Sequence, residues 1–110
     1  MEKFNENNTS GLREFYTMED LVNQIAPTTI VATWAARDWT QVNKFILRFR
    51  TSGFHHDGLV YVMVNGADLF KVVFTDFDNY ISHTINDVYI EDLVRTIDKH
   101  VEWIPAYEDR

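Results

Sequence analysis

Two apolar, β-branched runs on either side of Asn65 and Gly66 dominate the hydrophobic pattern of the chain. The first run, residues 59–64, is apolar at every position, which is typical of a strand covered on both faces. The second run, residues 69–75, alternates between an apolar face and a mixed face. Asn-Gly favours a chain reversal because both residues tolerate positive φ. The pattern therefore predicts an antiparallel hairpin, residues 59–76, around which the rest of the chain is organised.

Two helices are predicted to flank this hairpin in sequence. Near residues 18–26, a capping box that begins at Thr17 precedes an apolar stripe, and Pro27 ends the pattern. Near residues 89–103, apolar residues recur at helical spacing until Pro105. Both stripes are narrow enough to bury one face of a helix, so we expect each helix to pack on a sheet.

Three further stretches carry strand signals. Residues 28–34 are rich in β-branched side chains, and residues 80–85 alternate in the manner of a short, partly exposed strand. Residues 40–51 fit both periods: Leu47 is the only apolar residue off the helix pattern, and Ile46 the only one off the strand pattern. Periodicity leaves the helix and the strand open as alternatives for this stretch.

These elements predict an α+β fold in a single domain. We expect a small antiparallel sheet of three to five strands, centred on the 59–76 hairpin, with an N-terminal and a C-terminal helix packed on it. A length of 110 residues suits one domain. The predicted boundaries are a flexible N-terminal segment (1–13), the domain itself (14–104) and an acidic tail (105–110).

The first strand of the hairpin needs two covers, because it is apolar on both faces. If both helices pack on one face of the sheet, something else must cover the other face. The connector around Trp34 and Trp39 is one predicted cover. A second copy of the chain is the other, so a homodimer is among the predicted arrangements.

Charge and composition narrow the class of protein. The net charge is −7, and all of it falls in the second half: residues 1–56 hold six acids and six bases, whereas residues 57–110 hold eleven acids and four bases. Such a surface repels phosphate backbones and attracts basic partners. The chain has no cysteine, no apolar signal-peptide core and no apolar run long enough to span a bilayer, so we predict a cytoplasmic protein.

Five short motifs follow one another between residues 20 and 100. They are VATWA at 31–35, LRF at 47–49, VYVMVN at 60–65, DLFKVVF at 68–74, and VY at 88–89 with Leu93. Their order resembles that of a group of small uncharacterised proteins carried by bacterial phages and plasmids. The group's usual Gln-Leu-Gly-Gly after the first helix is replaced here by QIAP at 24–27. The resemblance implies a mobile-element origin and favours a strand at 44–51, but it implies no activity and no catalytic residues.

Acidic residues of the second half form the first candidate site. The predicted partner-binding set is Asp76, Asp78, Asp87, Glu91, Asp92, Asp98 and Glu102. One interpretation is that these acids form a solvated face whose only effect is to keep the protein soluble. The other is a phosphate-mimicking surface that occupies the basic surface of a nucleic-acid-binding host protein. With the resemblance, the second predicts a non-enzymatic inhibitor of phage or mobile-element origin, acting on a host defence complex in the manner of an anti-CRISPR.

A basic and aromatic patch supports a different function. Its residues are Trp34, Trp39, Lys44, Arg48 and Arg50. On a strand the three basic residues would share one face, and the tryptophans could stack on bases. The alternative function is therefore a nucleic-acid-binding accessory module. The net charge of −7 opposes it, and the same bases could instead neutralise the acidic C-terminal helix, within the fold or across a dimer.

The sequence does not predict an enzyme. His55, His56 and Asp57, with His83 or the carboxylates of the 76–79 turn, are metal-binding residue types, but they lack the spacing of known zinc sites. The same turn resembles the start of a calcium loop without the required glycine and glutamate. No phosphate-binding or nucleophile motif is present. We therefore expect no catalytic residue, no metal and no cofactor.

Overall fold

The hairpin predicted at residues 59–76 lies at the middle of a five-stranded antiparallel sheet in the computed structural model, which describes residues 2–14, 37–52 and 57–101. The strands are β1 (Arg37–Asn43), β2 (Ile46–Ser52), β3 (Asp57–Val64), β4 (Phe70–Thr75) and β5 (Ile81–Val88). Their order in the sheet is their order in the chain. A 3-10 turn (Ile90–Asp92) leads into helix α1 (Leu93–Val101).

This architecture confirms the predicted α+β class, the central hairpin and the C-terminal helix. The sheet has five strands, the upper end of the predicted range. The predicted helix near residues 18–26 and the predicted strand at 28–34 lie outside the described residues. Among the described residues, no helix has the length and hydrophobicity that a membrane crossing requires.

Strand β3 is buried on both faces, as its apolar run predicted. All six residues of the 59–64 run are at most 8% exposed. Val60, Val62 and Val64 point toward α1, whereas their neighbours in the strand point to the opposite face. Burying a large apolar side chain contributes about 2 kcal/mol, so this strand contributes to two hydrophobic clusters at once.

Helix α1 covers the first face. Its buried residues are Leu93, Ile97 and Val101, spaced by four so that they share one side of the helix. They join a cluster with side chains from four strands, among them Phe49 of β2. Trp39 packs on the edge of the same cluster, with its ring stacked on Phe49 at a centroid distance of 4.4 Å.

Residues 2–14, which we call the N-terminal strap, contribute to the cover of the second face. Phe4 lies against Tyr61 with ring centroids 3.9 Å apart, and Leu12 packs on the same cluster. The Phe4 N–H donates to the Asn79 carbonyl of the β4–β5 turn at 2.8 Å, and the Arg13 N–H donates to the Val64 carbonyl of β3 at 2.7 Å.

Trp39, one of the covers that the sequence suggested, packs on the helix side instead. Trp34 lies outside the described residues, and the homodimer stays a prediction. The predicted flexibility of residues 1–13 concerns motion and stays a prediction.

The ambiguous stretch at 40–51 consists of two strands joined by a turn at Lys44 and Phe45. The helix alternative is therefore excluded. Ile46 and Leu47, the residues that fitted only one period each, are both fully buried, on opposite faces of β2. Two consecutive buried residues on opposite faces at the start of β2 break the alternation that Arg48 and Arg50 mark further along the strand, which explains why the pattern was ambiguous.

The reversal between β3 and β4 is longer than a two-residue turn. The Asn65 side-chain oxygen accepts hydrogen bonds from the N–H groups of Ala67 at 2.9 Å and Leu69 at 3.1 Å. Positive φ occurs at Asp68 (61°) and at neither Asn65 nor Gly66. Asn65 thus acts here through its side chain, as Asn often does in turns, and not through the φ preference on which the prediction rested.

Candidate functional site

The predicted acidic set divides into separate groups along the edge strand β5. Asp76 and Asp78 belong to the turn before β5, whereas Asp87 closes the strand at its far end and Glu91 and Asp92 follow it. The β4 register fixes this separation, because the first residue of β5 pairs with the end of β4 and the last pairs with its beginning. Two further members are Asp98, which is half-buried on α1, and Glu102, which lies outside the described residues.

Asp76 has a structural role in its turn. Its Oδ1 accepts hydrogen bonds from the backbone N–H groups of Asp78 at 2.8 Å and Tyr80 at 3.0 Å. Asn79, with φ of 69°, completes the reversal in the left-handed region that Asn tolerates. A carboxylate used in this way holds the turn together and is less available to a partner.

The far end of β5 forms a different surface, which we call the acidic corner: Asp87, Tyr89, Ile90, Glu91 and Asp92. The register of β5 shifts between Ile85 and Val88, where Asp87 has a φ of 57°, and the strand ends at Val88. Tyr89 is 59% exposed and Ile90 43% exposed, and all three acids are exposed. None of these acids forms an ion pair with another described residue.

The acidic corner also serves the fold. Glu91 and Asp92 lie in the first turn of the 3-10 segment that opens the helical region, where negative charge is favourable. Tyr89 and Ile90, however, contribute little to the core in this position, because each leaves about half of its surface in solvent. Two adjacent exposed apolar side chains therefore lie beside three exposed carboxylates.

The basic and aromatic patch does not come together as one surface among the described residues. Arg48 and Arg50 lie on the strap side of β2, because they pair with Tyr61 and Leu59 of β3. Trp39 packs on the opposite, helix side of the sheet. Lys44 occupies the β1–β2 turn and Trp34 lies outside the described residues.

The two arginines instead line a cleft, which we call the arginine cleft. Its volume is about 350 Å³, and the described residues that line it are Asp38, Arg48, Arg50, Leu59, Phe77 and Asn79. Asp38 reaches it from a bulge of β1, where its φ is 57°. Arg50 Nη1 lies 3.4 Å from Asp38 Oδ2, and the Arg50 guanidinium carbon lies 4.8 Å from the centroid of the Phe77 ring.

Tyr61 connects the arginine cleft to the buried face below it. Its phenol donates a hydrogen bond to Asn79 Oδ1, and its ring lies under Phe4. Burial raises the pKa of Tyr61, while the neighbouring Arg48 guanidinium acts in the opposite direction. The phenol therefore stays neutral and fixes the orientation of the Asn79 amide at the edge of the cleft.

The histidine residues give no metal site in the part of the chain that the structure describes. His83 of β5 stacks on His100 of α1, with centroids 4.4 Å apart, and both rings lie near Phe74. No group of three or more His, Asp or Glu side chains with metal-binding geometry occurs among the described residues. His55 and His56 lie outside them, so the sequence prediction about that cluster is not changed.

Sequence reasoning missed Asp38, Phe77 and Asn79 as members of a site. They come from β1 and from the β4–β5 turn, and only the register of the sheet brings them to Arg48 and Arg50. An aromatic residue between two turn aspartates was the one signal that could have identified Phe77. Comparisons of the chain with family models, with curated proteins and with solved structures find no match.

Proposed function

We propose that this protein is a non-enzymatic binding protein of the cytoplasm that uses the acidic corner to dock on a basic, nucleic-acid-binding surface of another protein. The observation that carries the proposal is the exposure of Tyr89 and Ile90 side by side within a set of three acids. The resemblance to phage and plasmid proteins supports a host protein as the partner. By occupying its basic surface, the protein would inhibit a defence complex in the manner of an anti-CRISPR.

The two residue types in the acidic corner have different tasks in this proposal. Tyrosine and other large side chains act as anchors, because they bury much area in a pocket of the partner at little entropic cost. Acidic residues at the rim steer the encounter with a basic surface and disfavour partners of like charge. The excess of acids in residues 57–110 extends the same field over this half of the chain.

The nucleic-acid-binding alternative has weaker support. It required Trp39, Arg48 and Arg50 to present one surface to a strand of nucleic acid, but Trp39 and the arginines lie on opposite faces of the sheet. The arginine cleft that remains is the size of a small-ligand pocket, not an extended groove.

A capture experiment with matched variants tests the proposal. Purified wild-type protein is used as bait in a bacterial lysate, beside a corner variant (Asp87→Asn, Glu91→Gln, Asp92→Asn) and a control variant. The control neutralises three exposed acids outside the corner, Glu6, Glu14 and Asp78, so that net charge changes equally. We expect wild type and control to retain a nucleic-acid-binding protein that added DNA displaces, and the corner variant to lose it.

Binding kinetics with the purified partner then distinguish the contribution of the anchor side chains from that of the acidic charges. We expect Tyr89→Ala to weaken binding by about 2 kcal/mol, roughly thirtyfold, through a faster off-rate. The corner variant should lower the on-rate and reduce its dependence on salt. Equal losses in the corner and control variants, or a partner that DNA does not displace, would show that the proposal is wrong.

A further inference from the structure

We propose that the arginine cleft binds a small ligand that carries an oxyanion, either a phosphate or a carboxylate, attached to a flat ring. The cleft is separate from the acidic corner, since it lies at the opposite end of β5. A volume of about 350 Å³ is within the range of small-molecule sites.

Arg48 supplies the position for the anion. Its side chain is half-buried at the wall of the cleft, with one guanidinium N–H donating to the Tyr61 phenol, and it forms no ion pair with a described carboxylate. A guanidinium presents a planar fork that matches a phosphate or a carboxylate with two parallel hydrogen bonds. The Asn79 amide lies beside it, with its oxygen already engaged by the Tyr61 phenol, so that its NH₂ group is the part left to donate to a ligand.

Arg50 and Phe77 supply the position for the ring. The Phe77 ring is 46% exposed, and the Arg50 guanidinium lies over it, which gives the cleft two flat surfaces in contact. Aromatic rings of ligands stack well on both surfaces. Leu59, 8% exposed, adds an apolar wall at the base of the cleft. An oxyanion alone would leave these surfaces unused, so the combination favours a ligand with both parts.

Asp38 limits the affinity of the cleft for anions. Its carboxylate lies 3.4 Å from Arg50 and is 58% exposed, so it occupies one guanidinium and repels an entering anion. Removal of the Asp38 charge should therefore tighten the binding of an anionic ligand. A generic effect of surface charge would not depend on which acid is removed.

Titrations followed by amide chemical shifts test the proposal with four probes. AMP and orotate combine a ring with a phosphate and with a carboxylate, respectively, whereas inorganic phosphate and adenosine each carry one part. We expect at least one of the first two to bind saturably at one site, with shifts at residues 48, 59 and 79, and at least about tenfold more tightly than either single-part probe. The comparison of AMP with orotate identifies the source of the oxyanion.

Variants link that binding to named residues. Arg48→Ala should weaken it at least about tenfold, whereas Arg95→Ala, which removes the same charge from an exposed position on α1, should not change it. Arg48→Lys, which keeps the charge and loses the fork, should be intermediate and guards against a folding defect. Asp38→Asn should tighten binding and Asp87→Asn should not.

Three results would overturn the proposal. The first is the absence of a saturable shift with both AMP and orotate at millimolar concentrations. The second is an equal effect of the Arg48 and Arg95 substitutions, and the third is an equal effect of the Asp38 and Asp87 substitutions. Thermal unfolding of each variant confirms that it is folded before its affinity is interpreted.

Discussion

The two faces of the sheet are covered in different ways. On one face, helix α1 inserts three fully buried side chains at a regular spacing of four residues. On the other face, the N-terminal strap contributes only two apolar side chains, Phe4 and Leu12, eight residues apart and partly exposed. The same central strand therefore meets a regular cover and an irregular one.

The difference extends to how each cover is held. Buried apolar area holds α1, and the hydrogen bonds of a helix are made within the helix itself. The strap has two backbone hydrogen bonds of its own and is tied near both of its ends to β3, β5 and the β4–β5 turn. The Asn43 side chain adds a further bond, donating to the Glu6 carbonyl at 2.9 Å. We therefore expect the helix side to set global stability and the strap to open locally.

Ile97→Ala should have the largest effect on stability. Ile97 is fully buried at the middle of the α1 stripe, and truncation of such a residue costs about 3 kcal/mol through lost burial and the cavity left behind. Urea unfolding measures the change, with Arg95→Ala as a surface control expected to fall within about 0.5 kcal/mol of wild type. A small effect of Ile97→Ala would mean that α1 is not a principal part of the core.

Phe4→Ala should cost less and act locally. Its ring covers Tyr61 but is itself only half-buried, so we expect a loss of about 1.5 kcal/mol. Amide exchange should become faster at Phe4 and Arg13 of the strap and at Ile81, whose N–H donates to the Glu2 carbonyl, and should change little in α1. Equal acceleration in the strap and in α1 would show that the two covers unfold as one unit.

The same contrast explains what could be predicted from sequence. The C-terminal helix was predictable from its regular period of apolar residues, and the hairpin from two apolar, β-branched runs on either side of Asn65 and Gly66. Together they indicated the α+β class. The strap was not predictable, because Phe4 and Leu12 have no period and lie in a polar segment. The strand period of β2 was hidden at its start, because the neighbours Ile46 and Leu47 lie on opposite faces and are both core residues.

The candidate sites were predictable to different degrees. The acidic corner is local in sequence, so all three of its acids were in the predicted set. Its exposed apolar residues, Tyr89 and Ile90, were not predicted as part of a site. The arginine cleft combines residues separated by up to about forty positions, and strand register alone decides which of them meet. The sequence did not indicate that Trp39 and the arginines lie on opposite faces, because residues 37–43 were not recognised as a separate strand.

Tyr61→Phe should have a smaller effect, and one that depends on pH. At neutral pH the variant loses the hydrogen bond from the phenol to Asn79, worth about 1 kcal/mol. Because burial raises the pKa of Tyr61 in the folded state, the unfolded chain loses this proton first as pH rises. The stabilisation by the neutral phenol is therefore complete below the ordinary tyrosine pKa of about 10 and is lost as pH rises through the folded value.

Urea unfolding of both proteins across this range measures the effect. We expect wild type to lose stability above about pH 10 more steeply than Tyr61→Phe, because the variant has no proton to lose at this position. A spectrophotometric titration of the phenols, taken as wild type minus variant, should show one tyrosine with a raised pKa. Parallel stability curves would mean that the pKa of Tyr61 does not differ between the folded and the unfolded state.

Asp68→Asn should have the smallest effect and acts at the end of the strap. Asp68 Oδ1 lies 2.9 Å from Arg13 Nη2, but the Asp68 side chain is 76% exposed, and exposed ion pairs contribute about 0.5 kcal/mol or less. Asn tolerates the positive φ of this position as well as Asp does, so the backbone should not change. We expect a loss of this size in low salt that disappears at high salt, with Asp78→Asn as the control. A loss of Arg13 amide protection in the variant would show that the ion pair, and not the backbone bond to Val64, anchors the end of the strap.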